Sequence, residues 1–221
     1  MPEFLRTIAA EVRGCQKCRL SHTRTVGVPG EGSPNAEIFF IGEGPGFHED
    51  QQGRPFVGAA GQLLTDMLSE IGLRREEVFI TNVVRCRPPG NRDPLPDELS
   101  ACDEYTLRQI EALQPKLIVT LGRYSMARFF GPGSMRDLHG RTKQWNGATC
   151  LALYHPAAVL RTNTPEMRRI YADDFRRIPA LLAEARKARS MPRPVAAPAQ
   201  LPMHAEPEPE PAAELDQLPL F

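Results

Sequence analysis

Four short apolar runs form the most regular pattern in the chain: Ala36–Ile41, Val78–Val84, Leu117–Leu121 and Thr149–Tyr154. Each run shows little polar alternation, which is typical of strands that are buried on both faces in a parallel sheet. Segments with apolar residues at helical spacing separate the runs. This alternation predicts an α/β fold, in which a three-layer αβα sandwich surrounds a four-stranded parallel sheet.

Helical spacing and start signals predict five helices. They cover Phe4–Val12, Ala60–Ile71, Pro96 to about Leu113, Arg123–Phe130, and one long Arg-rich segment from Pro165 to about Arg189. The third and the fifth begin with proline followed by an acidic residue, an order that the first helical turn favours.

The composition of the chain changes near residue 190. Residues 191–221 contain eight prolines and the run Glu-Pro-Glu-Pro-Glu-Pro, and a segment of this composition cannot bury a core. We therefore predict one domain over residues 1–190 and a disordered tail over residues 191–221.

The formal net charge of zero conceals an asymmetry between these two regions. The tail holds one base and five acids of the 27 bases and 27 acids in the chain, which leaves 26 bases and 22 acids in residues 1–190. A mildly basic domain permits a nucleic-acid partner without requiring one. The chain lacks an apolar run of membrane-helix length and a signal-peptide core, so we expect a soluble cytoplasmic protein without a membrane partner.

Polar side chains follow the predicted strands where the strands end. Glu43 lies in a glycine-rich loop after the first run, Asn82 in the second run, and His155 directly after the fourth. Ligands of open parallel sheets bind beyond the carboxyl ends of the strands, so this convergence predicts an active site. Each feature also has a structural alternative. The glycines would form a tight turn, Asn82 would stabilise a turn, and His155 would be a buried core residue. Phe56, in a proline-bounded loop, is either a core residue or a stacking platform for a planar ligand.

Four of the five cysteines have a spacing that suggests a metal centre. Cys15 and Cys18 form a close pair, and Cys86 and Cys102 follow further along the chain. Four thiolates around one centre suit either a zinc ion or an iron–sulfur cluster, and the spacing does not choose between them. Unrelated free cysteines are the alternative. Cys150, inside a predicted strand, is expected to be a small buried hydrophobe.

Several motifs, in their order and spacing, resemble the family 4, or iron–sulfur, uracil-DNA glycosylases over roughly residues 3–185. The motifs are Cys15-x-x-Cys18, Gly42-Glu43-Gly44-Pro45-Gly46, Glu49-Asp50, Gly53-Arg54-Pro55-Phe56-Val57-Gly58, Gly61-Gln62-Leu63-Leu64, Thr81-Asn82, Cys86-Arg87-Pro88-Pro89-Gly90-Asn91-Arg92 and His155-Pro156-Ala157. The resemblance implies a DNA repair enzyme that hydrolyses the N-glycosidic bond of uracil in DNA and leaves an abasic site.

The resemblance also implies roles for individual residues. The residues that bind the flipped uracil would be Gly44, Phe56, Asn82 and His155. His155 would donate to uracil O2 as the bond breaks, which stabilises the transition state more than the ground state. Glu43 and Glu49 would supply the acceptor for the water proton and the negative charge that faces the sugar, with no firm division between them.

A [4Fe-4S] cluster and a DNA-facing surface are further implications of the resemblance. The cluster ligands would be Cys15, Cys18, Cys86 and Cys102. The DNA contacts would come from Arg87, Asn91 and, in a loop that wedges into the duplex, Leu160 and Arg161. Arg85 and Arg92 are additional candidates for phosphate contact.

The last residues of the tail resemble the peptide by which bacterial repair proteins bind the sliding β-clamp, with Gln217, Leu218, Leu220 and Phe221 as the candidate contacts. A tail that ends in apolar residues by chance is the alternative. None of the four lysines lies in the pocket motifs, so we expect a monofunctional glycosylase without lyase activity. We also expect a monomer, which is the usual state of such enzymes. A non-catalytic iron–sulfur module that binds DNA is the alternative function. A nucleotide-binding protein is a third possibility, but the glycine-rich loop lacks the Gly-Lys-Ser/Thr ending of a P-loop.

Overall fold

The computed structural model describes residues 3–189, and a six-stranded sheet runs through the middle of this region. The strand order is β1-β3-β2-β4-β6-β5. The strands are β1 (Glu31–Gly32), β2 (Ile38–Gly42), β3 (Phe79–Asn82), β4 (Leu117–Leu121), β5 (Thr142–Trp145) and β6 (Ala148–Leu153). The four predicted strands are β2, β3, β4 and β6, and they pair in parallel as expected.

The predicted four-stranded sheet is thus the centre of a larger, mixed sheet. β1 and β5 each pair antiparallel with one of its outer strands. The apolar pattern missed them because β1 has only two residues and most side chains of β5 are exposed. A turn signal was present in the sequence, since Asn146 and Gly147 both have positive φ and connect β5 to β6 as an Asn-Gly hairpin.

The helices pack on both faces of the sheet. The helices are α1 (Glu3–Gly14), α2 (Phe47–Gln52), α3 (Ala59–Glu70), α4 (Pro96–Leu113), α5 (Arg123–Phe130), α6 (Met135–Leu138), α7 (Pro156–Thr162), α8 (Pro165–Arg176) and α9 (Ile178–Arg189). The predicted long helix over residues 165–189 is therefore wrong, because it is divided at Arg177. Pro179 explains the break, since its ring would clash with the carbonyl of Phe175 in a continuous helix.

Alternate residues of the central strands supply two separate apolar layers. Phe40 and Val119 face one layer, which α3, α8 and α9 cover with residues such as Leu64, Phe175 and Leu182. The second layer contains Phe39, Ile41 and Ile118 from the strands, and Leu5, Ile110 and Phe129 from α1, α4 and α5. The arrangement confirms the three-layer αβα sandwich, and it leaves the carboxyl edge of the sheet free to form a site.

Two predictions concern features outside this core. Within residues 3–189, no helix is both long and apolar enough to cross a membrane. The predicted tail over residues 191–221 lies outside the described residues, together with the candidate clamp-binding residues Gln217, Leu218, Leu220 and Phe221.

Candidate active site

A cavity of about 290 Å³ opens at the carboxyl ends of β2, β3 and β6. The predicted residues that line it are Glu43, Gly44, Glu49, Phe56, Asn82, Asn91, Arg92, His155 and Arg161. Arg87 and Leu160 are not among the lining residues. A wider hollow of about 450 Å³ lies elsewhere, between His139, Arg141 and Arg177, and holds none of the predicted site residues. The convergence of the strand-end side chains marks the smaller cavity as the candidate site.

Asn82 is the last residue of β3 and carries a buried polar atom that lacks a partner. The sheet register places it beside Gly42. Its side chain is only 2% exposed, and its Oδ1 has no hydrogen-bond partner among the described residues. A Cβ at Gly42 would lie 2.6 Å from this oxygen, so glycine is needed for the close approach. Buried amides are normally satisfied, so this one indicates a ligand that would complete it.

Phe56 is held in a conformation that costs energy. Its φ of 51° lies in the left-handed region, which is unfavourable for a bulky residue. Arg75 fixes the loop by donating from Nη1 to the carbonyl of Phe56 at 3.0 Å and from Nη2 to the carbonyl of Pro55. The buried Phe56 ring lies 5.6 Å from the His155 ring, and the two rings are stacked. Phe56 is thus a member of the buried core that also lines the cavity.

His155 caps α7 and is held as the neutral imidazole. Its Nδ1 accepts a hydrogen bond from the backbone N–H of Ala157 at 3.1 Å. The ring proton is therefore on Nε2, where it can be donated to a ligand. Burial, together with the positive charge of Arg161, lowers the pKa of His155 to about 4, and the charge of Glu49 opposes this shift. The side chain is thus an uncharged donor near neutral pH.

The two candidate carboxylates have different environments. Glu49 bridges two loops, because its Oε1 accepts from the backbone N–H groups of Val57 at 2.8 Å and Gly58 at 2.9 Å. Its Oε2 accepts from the N–H of Gly46 at 3.1 Å. These bonds use the carboxylate to hold the glycine-rich loop against the Phe56 loop. The sequence offered no signal for this bridge, because its three donors are backbone groups.

Glu43 is instead a half-buried carboxylate on the cavity wall. Burial raises the pKa of Glu43, and the nearby charge of Asp93 adds to the effect, while Arg123 and Arg161 act in the opposite direction. A carboxylate of raised pKa is a stronger proton acceptor once it is ionised. Between the two acids, Glu43 is the better placed to act on a bound molecule or water.

The predicted DNA-contacting residues fall into different settings. Arg87 donates from Nε to Asn91 Oδ1 at 2.7 Å, close to the cavity rim. Arg92 is committed to a bidentate pair with the buried Glu98, at 2.8 and 2.6 Å. Leu160 and Arg161 lie in α7, so the predicted wedging loop is a helix. Arg92 and α7 thus have structural roles in addition to any contact with DNA.

The four candidate ligand cysteines lie on three segments: Cys15 and Cys18 follow α1, Cys86 follows β3, and Cys102 is in α4. None of the four is in a disulfide. Cys86 and Cys102 are buried in an apolar cluster with Leu20 and Val84, against which Cys18 packs. The pKa of Cys102 is raised by burial and also by the thiols of Cys18 and Cys15, so all four sulfur atoms share one neighbourhood.

The described residues do not form a closed metal site. Within residues 3–189, no three His, Cys, Asp or Glu side chains are placed to bind one metal ion. Arg24 donates from Nη1 to Cys86 Sγ at 2.9 Å, and hydrogen bonds to cysteine sulfur are a feature of iron–sulfur sites.

A buried cation supports an anionic group at this place. Arg85 is 1% exposed, so the predicted contact of this residue with phosphate is wrong. Its Nη2 donates to two neutral acceptors, Thr106 and Gln109, while its Nε and Nη1 have no partner in the described part of the chain. Because an unpaired buried charge is costly, a negative group bound by the adjacent Cys86 and Cys102 fits this site.

Comparison with known proteins places the chain in a family. Residues 29–176 match the model of the uracil DNA glycosylase superfamily. The chain is 50% identical over 186 residues to the type-4 uracil-DNA glycosylase of Sulfurisphaera tokodaii, which covers 80% of this chain and 84% of that protein. The identity to the type-4 enzyme of Archaeoglobus fulgidus is 47% over 188 residues, with 80% and 92% covered. The chain belongs to the type-4 uracil-DNA glycosylases.

A third type-4 uracil-DNA glycosylase, from Saccharolobus solfataricus, is 49% identical over 189 residues, which cover 81% of this chain and 87% of that protein. The resemblance noted in the sequence is thereby confirmed. Every cavity residue described above lies within residues 29–176, the part that matches the uracil-DNA glycosylase superfamily. Cys15 and Cys18 precede the matched part of the chain, whereas Cys86 and Cys102 lie within it.

Proposed function

We propose that this protein hydrolyses the N-glycosidic bond between uracil and deoxyribose in DNA, releasing uracil and leaving an abasic site. The observation that carries the proposal is the buried Asn82 Oδ1, which has no hydrogen-bond partner within residues 3–189 and lines a cavity beside a neutral donor, His155. A flipped uracil offers the matching groups, with N3–H for an acceptor and carbonyl oxygens for donors. The names of the type-4 relatives agree with this substrate.

Recognition of the base follows from the side chains on the cavity wall. Phe56 stacks on the uracil ring, and the Asn82 amide accepts from N3–H through Oδ1 and donates to O4 through Nδ2. Cytosine presents an acceptor at N3 and a donor at its amino group, so both hydrogen bonds with the amide would be lost. Leaving buried polar groups unpaired strongly disfavours the wrong base.

Bond cleavage places negative charge on uracil and positive charge on the sugar. The Nε2–H of His155 donates to uracil O2, where negative charge develops. Because the imidazole is neutral, this N–H is present without uptake of a proton from solvent. Glu43 accepts the proton of the attacking water and faces the cationic sugar. Glu49 is a positioning residue, which holds the two loops that carry Gly46 and Val57.

A lyase step does not fit the site. Among the described residues that line the cavity there is no lysine. Lys17 pairs with Glu104, Lys116 pairs with Glu37, and Lys143 donates to a backbone carbonyl. The proposed activity is therefore monofunctional.

The proposed cofactor is a [4Fe-4S] cluster bound by Cys15, Cys18, Cys86 and Cys102. When bound, the cluster supplies a rigid crosslink and a buried negative charge, and hydrolysis needs no redox chemistry from it. It would join the segments after α1 and β3 to α4, beside the surface where Arg87 and Asn91 lie. Uracil-containing DNA, single- or double-stranded, is the proposed partner of this monomer, and the sliding β-clamp is the proposed partner of the tail.

The test is an excision assay. Anaerobically purified protein is incubated with a labelled oligonucleotide that carries one uracil, treated with alkali and examined for strand scission. Scission at uracil, but not at thymine or cytosine in the same position, is the expected result. If cluster-loaded protein binds the oligonucleotide without releasing uracil, the enzyme proposal fails and the non-catalytic DNA-binding alternative takes its place.

A further inference from the structure

Phe47 is an exposed aromatic residue at the rim of the cavity. It is the first residue of α2 and directly follows Gly46, which lines the cavity. Its side chain is 53% exposed, compared with 45% for Phe4 and 36% for Leu95, the other exposed large hydrophobic residues of the described chain. A single exposed ring is ordinary on a protein surface, so its surroundings decide whether it has a role.

These surroundings hold the ring in place without burying it. The guanidinium carbon of Arg87 lies 5.2 Å from the centre of the Phe47 ring. Asn91, which lines the cavity, accepts from Arg87 Nε at 2.7 Å and so fixes the guanidinium. The His48 ring meets Phe47 edge-on at 5.4 Å. The planar guanidinium thus lies over the aromatic ring, next to the cavity mouth.

Such a pair has the chemistry to bind a nucleobase. Proteins that bind single strands use aromatic rings and arginine to stack on bases, which is tolerant of sequence because every base has a π face. Flipping one nucleotide out of a strand removes the stacking partner of the base beside it. The cavity receives the flipped base. The base beside it in the strand must then pass the rim of the cavity, where the Phe47 ring lies.

We propose that Phe47, supported by Arg87, is the stacking platform for the base adjacent to the flipped uracil. The inference rests on the proposed function, because it needs a flipped base in the cavity. The platform compensates for the stacking that flipping removes and thereby stabilises the flipped complex. It acts on DNA binding, so its contribution appears in KM.

The experiment combines protein variants with modified substrates. Wild type, Phe47→Ala and Phe47→Tyr are compared on single-stranded uracil substrates that are intact or that lack the base on the 5′ or the 3′ side of uracil. Phe4→Ala is the matched control, because Phe4 is also exposed and also lies near a guanidinium, that of Arg108 at 5.9 Å. Phe4 is on α1, away from the cavity lining.

We expect removal of one flanking base to raise KM for wild type by about 5- to 10-fold, the lower part of the range for base–aromatic stacking. Phe47→Ala should show a similar rise on the intact substrate and no further rise when that flanking base is missing. Phe47→Tyr and Phe4→Ala should behave as wild type.

Two results would overturn the platform. One is a KM for Phe47→Ala equal to that of wild type on the intact substrate. The other is a KM of Phe47→Ala that exceeds the wild-type KM by the same factor on substrates with and without the flanking bases, which would mean that Phe47 does not contact these bases. Failure of the proposed function is separate and recognisable, since wild type would then release no uracil from any substrate.

Discussion

Among the described residues, the cavity and the cysteine region each contain buried polar atoms without a hydrogen-bond partner, and the two groups that carry them differ in kind. In the cavity the group is neutral, the Oδ1 of Asn82, and it borders an open space of about 290 Å³. In the cysteine region the group is charged, the guanidinium of Arg85, and the protein encloses it. An unsatisfied neutral group costs about 1–3 kcal/mol, whereas an uncompensated buried charge costs several kcal/mol.

This difference separates a substrate site from a cofactor site. A protein can tolerate an unpaired amide between turnovers, especially where the amide is open to a cavity. An enclosed cation needs a permanent counter-charge, which a resident anionic cluster on neighbouring thiolates would provide. We therefore propose that Asn82 binds a transient ligand and that Arg85 faces a resident one.

The largest expected effect comes from removing the enclosed charge. Arg85→Leu should lower the free energy of unfolding of the cluster-loaded protein by about 3–5 kcal/mol, because breaking one side of a buried charge pair leaves the other uncompensated. After the iron is removed by a chelator, the same substitution should be neutral or stabilising. Anaerobic denaturant titrations of both forms measure this change of sign.

Arg85→Lys is the control for this experiment, because it keeps the positive charge. The lysine variant should retain most of the stability of the loaded wild type. Equal losses for the leucine and lysine variants in the loaded form would show that packing, rather than charge, explains the burial of Arg85.

A smaller effect is expected in the cavity. Asn82→Ala should lower kcat/KM for uracil-containing DNA by roughly 10- to 100-fold, since a lost hydrogen bond to a buried group costs about 1–3 kcal/mol. The visible absorption of the cluster should not change. Asn35→Ala, on an exposed turn, is the control. Loss of the cluster in Asn82→Ala would mean that the two regions are not independent.

The last expected effect is a fall in the free energy of unfolding as the pH is lowered. The pKa of His155 is about 4 in the folded protein and its ordinary value is 6.5, so the unfolded chain binds more protons between these values. Stability that is present above pH 6.5 is therefore lost as the pH falls towards 4, by about 2 kcal/mol between pH 7 and pH 5. Denaturant titrations of His155→Asn should show a smaller loss over the same interval, and an equal loss would contradict the neutral state of His155.

The sequence predicted the parts of the fold that repeat a simple pattern. The buried strands β2, β3, β4 and β6 are apolar throughout, and their ends located Glu43, Asn82 and His155. The edge strand β5 escaped because its exposed side chains carry no apolar signal. The break at Arg177 was also missed, although Pro179 indicated it.

The hydrogen-bond partners of Glu49 and Arg85 could not be predicted from the sequence. Glu49 resembled a catalytic acid, yet its oxygens accept from three backbone N–H groups that only folding brings together. Arg85 resembled a phosphate contact because it lies near Arg87, but its side chain is buried and donates to Thr106 and Gln109 of α4. Both depend on the direction of a side chain, which residue type and spacing do not determine.

The most direct test of the account is a crystal structure of the anaerobically purified protein, solved from crystals with and without uracil. The account predicts iron and sulfide bound by the four cysteines beside Arg85 in both crystals. It predicts uracil against Phe56 and hydrogen-bonded to the Asn82 amide in the soaked crystal alone. Uracil bound away from Asn82, or an Arg85 guanidinium without an anionic neighbour, would contradict it.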